Sequence, residues 1–148
     1  MSVLSIGATA RELLSKGKAN EAIVLLERHS SEYGDSAESL FLLGVAQGML
    51  GQFEKVVVLN DRALALAPDL TDAHFNRALA LLKLARYPEA RAGFRRVIAL
   101  NPRYPKAVEA FQHADLVAHR DEGRIIRLGA GFSLCVPSAL QLMTTYIA

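Results

Sequence analysis

Four histidines and one cysteine are the side chains of this 148-residue chain best suited to hold a metal or act as a nucleophile. Their spacing supports neither chemistry. His113 and His119 are six positions apart, which puts them on different faces of a helix. Two ligands on one helix face need a separation of three or four. His29 and His74 each stand alone, away from cysteine or carboxylate clusters. Cys135 has no histidine beside it in sequence, so no local base is at hand to make it a thiolate. Gly129-Ala130-Gly131 follows the apolar Ile125-Ile126 and imitates a phosphate-cradling loop. Leu134 stands where the third glycine belongs, and the seventeen residues after Gly131 leave no room for a βαβ unit. The residues therefore predict no catalytic set, no metal site and no cofactor, and the chain is not read as an enzyme.

The elements that position these side chains repeat. Gly17, Gly51 and Ala85 lie thirty-four residues apart, as do Ala22, Val56 and Ala90. Gly34, Pro68 and Pro102 keep the same interval, and so do Ala10, Gly44 and Ala78, and Phe53 with Tyr87. A fixed period of this length marks stacked supersecondary units, whose extended surface favours binding over catalysis. Apolar residues at helical spacing come in pairs of segments, at about 3–16 and 19–31, 37–50 and 53–67, and 71–84 and 87–100. A further helix is predicted from Pro105 to about Glu122. Asp35 and Ser36 are cap candidates for the third helix, and Asp35 with Glu38 has capping-box spacing. Small residues at Gly44, Ala63, Ala78 and Ala90 mark where helices must approach closely. His74 takes the place of Leu40 one repeat later, which reads as a packed helix residue.

Composition agrees with an ordered helical chain: 51% hydrophobic, 22% charged and no tryptophan. The net charge of +2 is too small to argue for nucleic acid. Its distribution is uneven, with six Lys/Arg against nine Asp/Glu in residues 1–70 and eleven against six in residues 71–148. A solvated helix face accounts for the basic part. One cysteine allows no intramolecular disulfide, and no basic residue precedes Arg11, so a signal peptide is not expected and a cytoplasmic location is. Residues 122–148 fall outside the repeat. After Arg127 they carry no charge, and Pro137, Gln141, Thr144 and Thr145 make a membrane span a poor fit. They read as an apolar C-terminal tail or cap, with an extended stretch at 132–136 and a helix at 137–146.

The pattern resembles the tetratricopeptide repeat family, whose signature holds Leu-Gly, Tyr, Ala, an aromatic and a closing Pro. Residues 37–70 supply Leu40, Leu43-Gly44, Gly51, Phe53, Ala63 and Pro68. Residues 71–104 supply Ala78, Leu81, Tyr87, Ala90, Phe94 and Pro102. Residues 3–36 form a degenerate unit with Leu13, Gly17, Ala22 and Leu26, and 105–121 a partial one. Val56 and Asn60 depart from the usual alanine and aromatic. The resemblance implies an all-α, right-handed helix-turn-helix solenoid over residues 3–121. It also implies a concave groove lined by the first helix of each repeat. Mapped by position, that groove takes Phe41, Leu42, Val45, Met49, Phe75, Asn76, Leu79, Leu82, Lys83 and Lys106. The implied function is a protein-protein interaction scaffold that binds a peptide or helix of a protein partner, without nucleic acid or membrane. The alternatives are an accessory module of a larger enzyme and a self-associating scaffold or homo-oligomer. The family's carboxylate clamp for chaperone C-termini is not implied. Asn76 and Lys106 match it, but Glu38, Leu42 and Ala110 occupy its other places.

Overall fold

A computed structural model describes residues 3–121, 125–127 and 133–135 of the chain. Seven helices follow one another: α1 (Val3–Ser15), α2 (Ala19–Tyr33), α3 (Ala37–Met49), α4 (Phe53–Leu66), α5 (Thr71–Lys83), α6 (Tyr87–Leu100) and α7 (Ala107–Asp121). Every helix expected between residues 3 and 122 is present, with ends shifted by no more than two residues. Between residues 3 and 121 there is no strand. Beyond α7, β1 (Ile125–Arg127) and β2 (Ser133–Cys135) pair antiparallel, with Ile126 opposite Leu134. The extended stretch foreseen near 132–136 thus has a strand partner that periodicity did not reveal. The helix expected at 137–146 lies outside the described residues.

The same local device closes the first helix of each pair. Gly17 and Gly51 have φ of +75° and +74°, and the backbone N–H of the next residue reaches back five positions. Lys18 donates to Leu13 O at 2.9 Å, Gln52 to Gln47 O at 3.0 Å and Arg86 to Leu81 O at 2.9 Å. This is the Schellman bond, which requires one left-handed residue. In the third repeat that residue is Ala85, at φ +59°. The cap of α3 differs from the Asp35/Glu38 reading. Ser36 Oγ accepts from Ser39 N, and Ser39 Oγ accepts from Ser36 N, each at 3.0 Å. Asp35 instead accepts from Ser30 and pairs with Arg62. One repeat later Asp69 pairs with Arg96 at 3.3 Å, so this tie shares the thirty-four-residue period.

Consecutive helices pack together, and α1 also touches α3, α3 touches α5, and α5 touches α7. The second helices α2, α4 and α6 show no contact of comparable extent with one another. Closer spacing on one side bends the stack toward that side, so α1, α3, α5 and α7 line its inner face. The core runs through the stack as three clusters. Ile6, Ala10, Leu26, Leu42 and Leu43 form the first; Leu40, Ala63 and Ala73 form the second. Val56, Ala78, Leu81, Ala90, Phe94 and Ala114 belong to the third. Neighbouring side chains press closest where a glycine leaves room. A Cβ on Gly44 would lie 2.7 Å from Asn60 Nδ2, and one on Gly93 would lie 2.8 Å from Ala78 Cβ.

Candidate peptide-binding groove

On the inner face, α3 and α5 run side by side with the start of α4 behind them. Residues three and four apart share one helix face, so Val45 with Met49 and Asn76 with Leu79 and Lys83 project together. These five side chains, with Phe53 and Val56 from α4, line an open pocket of about 290 Å³. Met49 is 47% exposed and Leu79 36%, although both are apolar. Among the described residues the lining carries one cation, Lys83, which is exposed. Among the described residues, no carboxylate lies within ion-pair distance of its ammonium.

The other residues expected in the groove sit elsewhere. Leu42 is only 2% exposed and packs with Ile6, Ala10 and Leu26. It is corrected from groove wall to core, because α1 lies over that face of α3. Phe41 is half-buried between two core clusters. Phe75 is half-buried too, its ring 5.6 Å from Phe94 and 5.0 Å from Tyr104. Leu82 packs on the cluster that holds Phe94. Lys106 is exposed just before α7, at φ +61°, and does not line the pocket.

Polar groups on the inner face are mostly committed. Arg11 and Glu38 form an ion pair at 3.0 Å. Glu38 lies so close over α1 that a Cβ on Gly7 would be 2.9 Å from its Oε1. Tyr104 donates to Asp72 Oδ1 at 2.6 Å. Burial, and then the bond to the Asp72 carboxylate, hold the Tyr104 hydroxyl pKa above its ordinary value. Asn60 is fully buried in α4. Its Nδ2 donates to Val56 O at 2.8 Å, and among the described residues its Oδ1 has no partner. Asn76 Nδ2 is also buried without a partner, near the same bare backbone of Gly44.

Among the described residues, no cluster of three His, Cys, Asp or Glu is placed to hold a metal. His74 is not packed away, but has Nε2 2.7 Å from Pro68 O. His29 is buried beside Tyr33. Sequence reasoning missed a second opening, of about 420 Å³, between α2, α3 and α4, walled by Leu43, Gln47, Val58 and Leu59. Of the valines thirty-four apart, Val58 borders this opening and Val24 does not, and both are more than half exposed. Among the described residues, no helix is long and apolar enough to cross a membrane.

Comparison with known proteins agrees with this architecture. The family model described as "Tetratricopeptide repeat" matches residues 71–104. The uncharacterized protein MJ0572 of Methanocaldococcus jannaschii is 44% identical over 64 residues, covering 43% of this chain and 74% of that protein. The first TPR domain of human RPAP3 superposes with a TM-score of 0.76 at 21% identity, over 81% of this chain and 94% of that one. The second TPR domain of human RPAP3, solved with the HSP70 peptide SGPTIEEVD, gives 0.68 at 22% identity, over 75% and 92%.

Proposed function

Because the chain belongs to the tetratricopeptide repeat family, we propose that it is a protein-interaction scaffold whose inner face receives a segment of a partner protein. The observation that carries this reading is the apolar pocket between α3 and α5. Val45, Met49, Phe53 and Leu79 converge there, with Met49 and Leu79 left exposed. Contiguous exposed apolar surface on a folded chain marks an interaction site. The pocket's volume falls just below the range of about 300–1,000 Å³ usual for small-molecule sites. That size suits one or two side chains of a longer ligand better than an enclosed cofactor.

Two variants test the reading. Leu79→Glu places a charge on the inner pocket, and Val58→Glu places one on the outer surface. In quantitative pull-downs from the source organism, the groove's partner should be lost with Leu79→Glu and kept with Val58→Glu. Equal retention by both would exclude the inner face. A related expectation concerns chaperone tails, such as the one bound by the RPAP3 domain. Here Leu42 is buried, Ala110 offers no hydrogen bond, and Glu38 would repel a terminal carboxylate. Titration with SGPTIEEVD should give no saturable heat.

A further inference from the structure

The pocket's chemistry says more about its occupant. Resting on the groove reading above, we propose that the partner segment is an amphipathic helix. It seats a bulky apolar side chain between Met49 and Leu79 and places a carboxylate one helical turn away, on Lys83.

Three observations lead there. First, the pocket wall offers a main chain almost nothing to bond. Its polar groups are Asn76, whose Nδ2 is itself buried, and the ammonium of Lys83. An extended segment laid on such a wall would leave its N–H and C=O groups unpaired, at the cost of the bonds they make with water. A helix satisfies its backbone internally and presents only side chains, which is how apolar grooves take partners.

Second, Lys83 is the one charged residue lining the pocket, and among the described residues it has no carboxylate partner. The acidic groups of the inner face, Glu38 and Asp72, stand at the starts of α3 and α5, whereas Lys83 ends α5, and they are engaged by Arg11 and Tyr104. The unmatched charge at the pocket edge is therefore positive, and the complementary group is an Asp or Glu.

Third, Leu79 and Lys83 are four residues apart on α5, so their side chains are offset by one turn, about 6 Å. A partner helix lying along α5 repeats that offset when its anchor and its acid are themselves three or four residues apart. Met49 suits the anchor position because its flexible thioether adapts to aliphatic and aromatic side chains alike.

The test uses the full chain as bait for a library of random peptides about sixteen residues long, near the shortest length that forms a helix in water. Enriched peptides should show apolar residues at helical spacing, with Asp or Glu three or four positions from the central one. A synthetic representative should lose binding when proline is placed mid-peptide. Lys83→Glu should weaken it by about fivefold to tenfold. Replacing the peptide acid by lysine should restore binding to Lys83→Glu alone. Circular dichroism would confirm that the variant stays folded. Peptides that bind without an acid, or ignore Lys83→Glu while failing on Leu79→Glu, would overturn this inference and leave the groove reading standing. Indifference to Leu79→Glu, or no enrichment at all, would overturn both. A chain that dimerises through Leu79 by sedimentation would assign the groove to a second copy and overturn the proposed partner.

Discussion

The second and third repeats use the same backbone plan with opposite interiors. Where α5 and α6 meet, Phe94 is fully buried and its edge faces Phe75. Where α3 and α4 meet, the equivalent residue is Asn60, equally buried, with one amide oxygen unpaired. The close approach is also solved from opposite sides. In the second repeat the bare position is Gly44 on the first helix, and its equivalent one repeat on is Ala78. In the third repeat the bare position is Gly93 on the second helix, opposite that same Ala78. A repeat requires that one partner be small at the crossing; it does not dictate which. The second repeat, with the polar interior, is also the one whose first helix supplies Val45 and Met49 to the inner pocket. Its polar interior thus lies behind the surface that the proposed function uses.

The contrast can be broken most forcefully at Phe94. Phe94→Ala should cost about 3–5 kcal/mol, the range for deleting a buried aromatic. Asn60→Ala should cost clearly less, and urea unfolding followed by circular dichroism would rank them. Equal losses would mean that the two interiors contribute alike. Gly93→Ala should destabilise by about 1–3 kcal/mol through overpacking against Ala78. Pairing it with Ala78→Gly, which copies the arrangement of the second repeat, should recover part of that loss. Replacing the polar interior sharpens the comparison in the other direction. Asn60→Leu removes the unpaired oxygen and should raise stability by about 1 kcal/mol. A decrease would show that the amide has a partner it needs.

The turns differ as well. Ala85 holds a left-handed conformation that Gly17 and Gly51 hold elsewhere, so Ala85→Gly should stabilise the third repeat by about 1 kcal/mol. Gly51→Ala should do the reverse, and thermal melts of the two variants should move in opposite directions. The smallest effect is expected at the repeated surface tie. Arg62→Ala and Arg96→Ala should each cost under about 1 kcal/mol, and less still in high salt.

Much of the architecture was legible because it rests on periodicity. Gly17, Gly51 and Ala85 announced the turns, and the small residues at Gly44, Ala63, Ala78 and Ala90 announced the crossings. Gly93 was not legible as a crossing residue. Its neighbour in the register is Leu59, so no ladder of small residues marks it. The cap at Ser36 was half legible. Sequence placed a cap at Asp35 or Ser36, yet a second serine closes the box in place of the Glu38 carboxylate, which is drawn away to Arg11. The groove was legible by helix face but not by depth. Sequence position gives the direction in which each α3 and α5 side chain leaves the helix axis. Whether Leu42 is wall or core depends on how far α1 overlaps α3, which is a packing outcome rather than a pattern in either helix. Of the two strands after α7 only the second was foreseen as extended; at three residues each they are too short for an alternating pattern to reveal their pairing.

Gly7 beneath Glu38 bears on how readily such a chain could acquire a different client. Exchanging Glu38 for lysine, the first step toward gripping an acidic terminus, would set a cation against Arg11 and strand that arginine. Any branched side chain at position 7 would in turn block the carboxylate that now fills the space. The three positions touch through one exposed ion pair, so substitutions at them should not add independently. Drift at this end of the groove is therefore channelled. Changes that keep Glu38 preserve its pair with Arg11, while replacing Glu38 would free both that arginine and the space over Gly7.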